Sequence, residues 1–259
     1  HLVDSEKDMA NLCRILEEYF ANATPDPKNK EKILSSAISA CHLRSDIKNS
    51  RIMSQGTFFQ TFDKSPLAIL PHFQLLYDHG HYQELVDKFE KSSKVKNTAN
   101  MAIVMAALCR ISTPEAYKIA TEMAQDKKLM PEQGRTKVLF AWFSIQMSHY
   151  DIAIETLKKT KVSEKIKSFK ASSKISSNVY LFALVKNGKV GTCLSEMANQ
   201  LRNNTNFGFT PVYSSELIQE IKEAVKDNEK LIQMYKEVKK DLVYCYSIAA
   251  MLRLCGVRI

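Results

Sequence analysis

Two short motifs interrupt apolar helical patterns in the same way, and they constrain the fold more than any other feature of the chain. Gly80-His81-Tyr82 and Ser148-His149-Tyr150 each separate an apolar run from an amphipathic run. Glycine ends a helix at low cost in the left-handed backbone region, and the tyrosine after it can begin a second helix that packs back on the first. Each motif therefore predicts the turn of a helical hairpin.

Four such hairpins are predicted in succession. They pair 67–77 with 82–91, 98–109 with 114–123, 136–147 with 150–159, and 175–186 with 190–201. Their turns, at Gly80, 111–113, Ser148 and Gly188, step by about 31 to 40 residues, the range of tetratricopeptide-like and HEAT-like repeats. We expect an all-α fold, a right-handed α-solenoid of helix-turn-helix repeats. A non-repetitive helical bundle is the alternative.

The chain is expected to have three parts. Residues 1–65, including a less regular stretch at 45–64, are predicted to form N-terminal helices that cap the array. Residues 66–205 hold about four hairpin repeats with a basic insertion at 158–174, and residues 206–259 form C-terminal helices that cap the other end. Helices are expected from Thr210-Pro211 and over 242–254, and Trp142 and the phenylalanines beside it are predicted core residues.

Composition restricts the function. The 37 Lys and Arg residues exceed the 28 Asp and Glu residues, and the net charge of +9 favours polyanions such as RNA or acidic protein surfaces. The six cysteines lie mostly in apolar stretches without zinc spacing, and His72, His79 and His81 lack further ligands, so neither a metal nor another cofactor is expected. No nucleophile elbow or phosphate-binding glycine loop is present, which predicts a non-enzyme.

The segments HGHYQELVDKFEKS, ISTPEAYKIATEM and MSHYDIAIETLKK resemble the second halves of pentatricopeptide repeats. The order of features from residue 67 to about residue 244 resembles the mitochondrial pentatricopeptide repeat-containing protein 2 family. This resemblance implies a non-catalytic protein of the mitochondrial matrix that acts in RNA processing or expression. The chain opens with His1, so we expect the transit peptide that the resemblance implies to lie outside it. Its apolar runs are too short to cross a bilayer, which predicts a soluble chain without a membrane span.

One departure from the family pattern concerns base recognition. In pentatricopeptide repeats that read individual bases, a polar residue ten positions before the turn faces the nucleotide. Those positions are Leu70, Met101 or Ile103, Val138 and Asn178. Apolar side chains carry no donors or acceptors for base edges, so a code of one base per repeat is not expected. Asn178 alone is a candidate for base contact, and its alternative role is a polar residue at an exposed helix start.

Lysines provide the main candidate RNA-binding site. Residues 158–174 hold seven lysines and one glutamate: Lys158, Lys159, Lys161, Lys165, Lys167, Lys170 and Lys174. This insertion is expected to attract phosphates, or else to serve only as a solvated connector. Arg135 and Lys137 are expected to extend its basic edge. A second group, Lys88, Lys91, Lys94 and Lys96, is expected on the same rim if the repeats stack in register.

Two functions follow as hypotheses. The first is a mitochondrial RNA-binding repeat protein that contacts a transcript or ribosomal RNA mainly through the backbone. The second is a protein-binding scaffold of the same architecture, or a structural component of a mitochondrial ribonucleoprotein such as the mitochondrial ribosome. Net charge and family resemblance favour the first, and the apolar residues at the base-reading positions favour the second.

Overall fold

The computed structural model describes residues 6–22, 26–91, 98–126, 135–158, 171–205, 212–240, 242–245 and 247–254. Within these ranges the chain is almost entirely helical, which confirms the all-α prediction. The helices are α1 (Glu6–Asn22), α2 (Pro27–Leu43), α3 (Ile47–Ile52), α4 (Phe59–Phe62), α5 (Pro66–Asp78), α6 (Tyr82–Lys91), α7 (Thr98–Ile111), α8 (Pro114–Gln125), α9 (Arg135–Gln146), α10 (Tyr150–Lys158), α11 (Ala171–Lys186), α12 (Val190–Thr205), α13 (Ser215–Val225), α14 (Glu229–Lys239) and α15 (Ile248–Leu254). A short 3-10 helix (Gly56–Phe58) and the strands β1 (Val212–Ser214) and β2 (Val243–Cys245) complete the described elements.

Five residues with left-handed backbone angles mark the ends of first helices at regular distances. Their φ values are 57° at Ser45, 77° at Gly80, 54° at Ser112, 62° at Ser148 and 72° at Gly188. At four of these turns the next N–H donates to the carbonyl five residues earlier, the bond that closes a Schellman motif. These bonds run from Asp46 to Cys41, from His81 to Leu76, from His149 to Ser144 and from Lys189 to Leu184. The four predicted turns are therefore present, and Ser45 adds a fifth.

Side-chain caps define where several helices begin. Ser65 Oγ accepts the N–H of Ala68, and Thr113 Oγ1 accepts the N–H of Ala116. In both cases a proline occupies the first helical position, where the missing N–H costs nothing. The same local chemistry therefore starts both α5 and α8.

The chain divides into two compact units, His1–Ile111 and Ser112–Ile259. In unit 1, α2 packs against α5, and α5 packs against α7. The helix α3 lies on α2 and α5, whereas α6 lies on α5 and α7. Ile38, Phe73, Leu76, Leu85 and Met105 are among the buried core residues. Successive first helices of this unit are thus direct neighbours.

Unit 2 repeats this arrangement with α9, α11 and α13 as neighbouring first helices. The helix α10 packs on both α9 and α11, and α12 packs on α11, α13 and α14. Phe143, Leu181, Leu194, Leu217 and Ile221 lie in its core. The helix α15 covers part of α11.

The C-terminal region differs from the prediction at two places. The strands β1 and β2 pair in parallel, with Tyr213 opposite Tyr244, so the predicted helix over 242–254 begins only at Ile248. The helix expected from Thr210-Pro211 begins instead at Ser215, after the N-cap Ser214. Valine and tyrosine favour strands, but three residues are too few to show an alternating pattern.

Candidate nucleic-acid interface

Asn178, the one polar residue at a predicted base-reading position, is buried beneath β1. Its side chain is 1% exposed. The amide Nδ2 donates to the carbonyl of Val212 at 3.0 Å, and the amide oxygen accepts the N–H of Ser214 at 2.7 Å. The side chain thus pairs with the backbone of β1 and is not available to a base in this conformation. Its burial also excludes the alternative of an exposed helix start.

The other base-reading positions are apolar in both units. The turn at Ser112 assigns the position on α7 to Ala102, between the two expected alternatives, Met101 and Ile103. Leu70 is 38% exposed, whereas Val138 is buried. At these positions the apolar side chains can make only weak, non-directional contacts with a base.

Of the seven lysines in the basic insertion, one has a described side chain. Lys158 ends α10, is exposed, and lies 3.3 Å from the Glu155 carboxylate. Exposed pairs of this kind hold the cation weakly, which leaves it accessible to other anions. The lysines Lys159, Lys161, Lys165, Lys167 and Lys170 lie outside the described residues, and Lys174 belongs to α11 but its side chain is not described.

Arg135 and Lys137 do not form one basic face. Both lie in the first turn of α9, where two positions along a helix are about 200° apart around its axis. Arg135 is exposed, whereas Lys137 is half-buried. Arg135 instead shares a face with Trp142, seven residues later. Trp142 is half-buried, whereas Phe140 and Phe143 are buried, so the predicted core position applies fully to the phenylalanines and only in part to Trp142.

Trp142 is a candidate contact that the sequence analysis missed. Its ring centroid lies 6.0 Å from that of Phe182 on α11. An exposed cation and a partly exposed indole on one helix face are the elements that single-stranded nucleic acid uses for phosphate contact and base stacking. The signal in the sequence was the seven-residue spacing of Arg135 and Trp142 in a mostly apolar helix.

The second lysine group lies at the end of α6 in unit 1. Lys91 is exposed, and Lys88 is half-buried with its ammonium donating to Ser54 Oγ at 3.1 Å. Neither has a carboxylate at ion-pair distance among the described residues. Lys94 and Lys96 lie outside these residues, so the single rim expected for both lysine groups stays a prediction.

Charges at the turn ends of the hairpins, by contrast, meet partners in the next hairpin. Asp151 Oδ1 accepts from Lys189 Nζ at 3.1 Å and from Asn187 Nδ2 at 2.7 Å. The hydrogen bond from Lys189 has the larger effect and the bond from Asn187 the smaller; both hold the pKa of Asp151 below its ordinary value. Lys186 pairs with Glu220 at 2.5 Å in the same unit. In unit 1, Arg110 Nε donates to Tyr82 Oη at 3.2 Å.

The cysteines and histidines form no metal centre in the part of the chain that the structure describes. Cys13, Cys41, Cys109 and Cys193 are buried. Burial raises the pKa of Cys13 to about 11 and that of Cys41 to about 12, so both thiols stay protonated. No helix in the described ranges has the length and apolar character needed to span a membrane.

Comparison of the chain with protein-family models, with curated proteins and with solved structures found no match.

Proposed function

We propose that this chain is a non-catalytic helical-repeat protein that binds single-stranded RNA through the phosphate backbone. Its hairpins form a right-handed α-solenoid of the pentatricopeptide type, and its place of action is the mitochondrial matrix, in RNA processing or expression. The localisation and the repeat type rest on the resemblance of the three second-helix segments. RNA binding rests also on the charges described above.

The distribution of charge along the hairpins is the observation that carries this proposal. At the turn ends, Lys186 and Lys189 form ion pairs with Glu220 and Asp151 of neighbouring hairpins. At the opposite ends, Lys88, Lys91 and Arg135 have no carboxylate at ion-pair distance among the described residues. Cations that are not neutralised by the protein are the ones that release counterions when a polyanion binds.

Readout of individual bases is not part of the proposal. Asn178 is engaged by β1, and the equivalent positions of the other hairpins are apolar. Binding therefore depends on phosphate contacts, with stacking on Trp142 as a contribution that every base can make. We expect affinity to vary little with sequence and strongly with salt.

Exposed leucines on α5 favour a second candidate function, a protein-binding scaffold. Leu67 is 67% exposed and Leu70 is 38% exposed, and they lie three residues apart on one helix face. An apolar stripe of this kind suits a protein partner better than a polyanion.

The experiment is a titration of single-stranded RNA with the full chain, followed by fluorescence anisotropy at several salt concentrations. The test variant replaces four insertion lysines with glutamine: Lys159, Lys161, Lys165 and Lys167. The control variant removes the same charge from exposed positions of α13 and α14: Lys222, Lys230, Lys236 and Lys239. If all four insertion lysines contact phosphates, the slope of log K against log salt becomes shallower by about 2.8 in the test variant only.

Two results would contradict the proposal. Absence of RNA binding at low salt would leave the scaffold as the better explanation. Equal losses in the test and control variants would show that net charge, and not the insertion, determines binding.

A further inference from the structure

Arg51 of α3 and two lysines of α6, Lys88 and Lys91, form a group of cations around the Arg51–Glu84 ion pair in unit 1. Arg51 contacts Glu84 at two points, with Nη2 to Oε2 at 2.6 Å and Nε to Oε1 at 3.2 Å. This side-on geometry uses both oxygens of the carboxylate. Lys88 and Lys91 lie one and two turns further along α6 from Glu84. These four side chains carry two net positive charges, and the carboxylates of Asp87 and Glu90 lie on the exposed part of the same helix.

Lys88 is held in this cluster by a neutral partner. Its ammonium donates to Ser54 Oγ, and Ser54 in turn donates to the carbonyl of Arg51 at 2.8 Å, which orients the hydroxyl oxygen. Burial lowers the pKa of Lys88, while Glu84 opposes the shift and the charges of Arg51 and Lys91 add to it. One hydroxyl satisfies one of three ammonium N–H groups, so the cation is only partly compensated.

The positive field of the cluster reaches the core below it. His72 is fully buried on α5, with Nδ1 2.7 Å from Ser50 Oγ and, among the described residues, no hydrogen-bond partner for Nε2. Burial lowers the pKa of His72 to about 3, and the charges of Lys88 and Arg51 add to the shift. The imidazole therefore stays neutral, and the charges that face solvent are those of α3 and α6.

We propose that Lys88, Lys91 and the Arg51–Glu84 pair form a binding site for one phosphate group of a nucleic-acid backbone. The proposal rests on the RNA-binding function and assigns it a discrete contact in unit 1, apart from the basic insertion. The two ammonium groups bind the phosphate oxygens, and Arg51 stays fixed by Glu84 as a nearby positive charge. Attraction of a lysine to the negative end of a helix accounts for Lys91. It does not account for the burial of Lys88 against Ser54.

A nucleic acid is favoured over an acidic peptide by the ammonium groups of the cluster and by the charge of the whole chain. The planar fork of arginine binds carboxylate or phosphate at two points, and the only arginine of the cluster is already engaged by Glu84. Lysine binds phosphate well as a point charge. The net charge of +9 adds long-range attraction for a polyanion.

The test compares Lys88→Met with Lys32→Met in the full chain. Lys32 is an exposed lysine of α2 in the same unit, so both variants lose one charge. We expect Lys88→Met to weaken single-stranded RNA binding threefold to tenfold and to make the salt slope shallower by about 0.7, with little change for Lys32→Met. Lys91→Met, at an exposed position, repeats the test without altering a half-buried residue.

Further outcomes separate failure of this site from failure of the RNA-binding function. If RNA binds with equal losses in the Lys88 and Lys32 variants, the site is wrong and the function stands. If RNA does not bind, inorganic pyrophosphate is titrated instead, and the Lys88 side-chain resonance is followed by NMR. A shift of the Lys88 resonance on addition of pyrophosphate supports an oxyanion site without RNA binding. An unchanged resonance overturns the site. Tighter Lys88-dependent binding of a polyglutamate peptide than of RNA overturns the choice of phosphate.

Discussion

Replacement of Asn178 by alanine tests whether this residue serves the fold or a nucleotide. The change removes the donor to Val212 and the acceptor for the Ser214 N–H. Ser214 is fully buried, so its unpaired N–H costs about 1–3 kcal/mol, whereas the half-exposed Val212 can return to water at a cost of about 0.5–1.5 kcal/mol. Alanine regains roughly 0.6 kcal/mol of helix propensity. We expect a net loss of about 1–4 kcal/mol in the free energy of unfolding.

Aspartate at the same position gives a pH-dependent version of the test. A protonated aspartic acid side chain can donate to Val212 and accept from Ser214 as the amide does, but the carboxylate cannot donate and is buried. The folded-state pKa of the new acid is therefore raised above its unfolded value near 3.9. The stabilising contribution of the neutral form is complete below that value and is lost as the pH rises through the folded pKa. Asn178→Asp should thus be close to the parent in acid and much less stable at neutral pH.

Urea unfolding of both variants, together with hydrogen exchange at Ser214, provides the measurement. The structural role predicts faster exchange at Ser214 and unchanged RNA affinity in the folded variant. An Asn178→Ala protein that keeps its stability while losing tenfold in RNA affinity would refute the assignment of Asn178 to β1.

Four smaller changes test the turns and the contacts between helices. Both Gly188 and Ser148 have positive φ, which favours glycine over residues with a Cβ atom. Gly188→Ala should therefore destabilise unit 2 by about 1 kcal/mol, and Ser148→Gly should stabilise it by about 0.5–1 kcal/mol. Urea titrations of the two variants check both signs. Lys189→Met should raise the pKa of Asp151 toward its ordinary value of 3.8, observed by NMR. The ion pair lowers this pKa in the folded state, so its stabilising effect is present above pH 3.8 and is lost as the pH falls through the folded pKa. Tyr117→Phe removes the 3.1 Å hydrogen bond from Tyr117 Oη to the buried Ser144 Oγ and keeps the ring contacts. It should lower the free energy of unfolding by about 1 kcal/mol, measured by thermal unfolding.

The helical hairpins could be predicted because local chemistry determines them. Gly80, Ser148 and Gly188 all occupy the left-handed positions that their sequence context indicated. The turn at Ser45 has the same geometry, but α3 after it is only six residues long, too short to show helical periodicity. Asp46 was the available signal, since its side chain caps α3 by accepting the N–H of Asn49.

The role of Asn178 could not be predicted because it depends on a distant, irregular segment. Its partners in β1 lie 34 and 36 residues away. The position of Asn178 relative to the turn suggested a nucleotide contact. The parallel strands β1 and β2, of which β1 binds the amide, are too short to show a periodic pattern in the sequence. Lys88 and Ser54 raise the same difficulty, since a lysine run indicates solvated charges and does not reveal which member is half-buried.

The separations of these contacts share a physical cause. Lys88 and Ser54 are 34 residues apart, and so are Lys186 and Glu220; Asp151 and Asn187 are separated by 36. These distances match the steps between turns, so each pair joins neighbouring hairpins within one unit. A polar contact of this kind adds a geometric restraint to the apolar packing between two neighbouring hairpins, because its energy depends on the distance and angle between donor and acceptor. The residue types of these pairs differ from step to step, and we expect a substitution at one pair to remove that contact while leaving the other pairs of its unit intact.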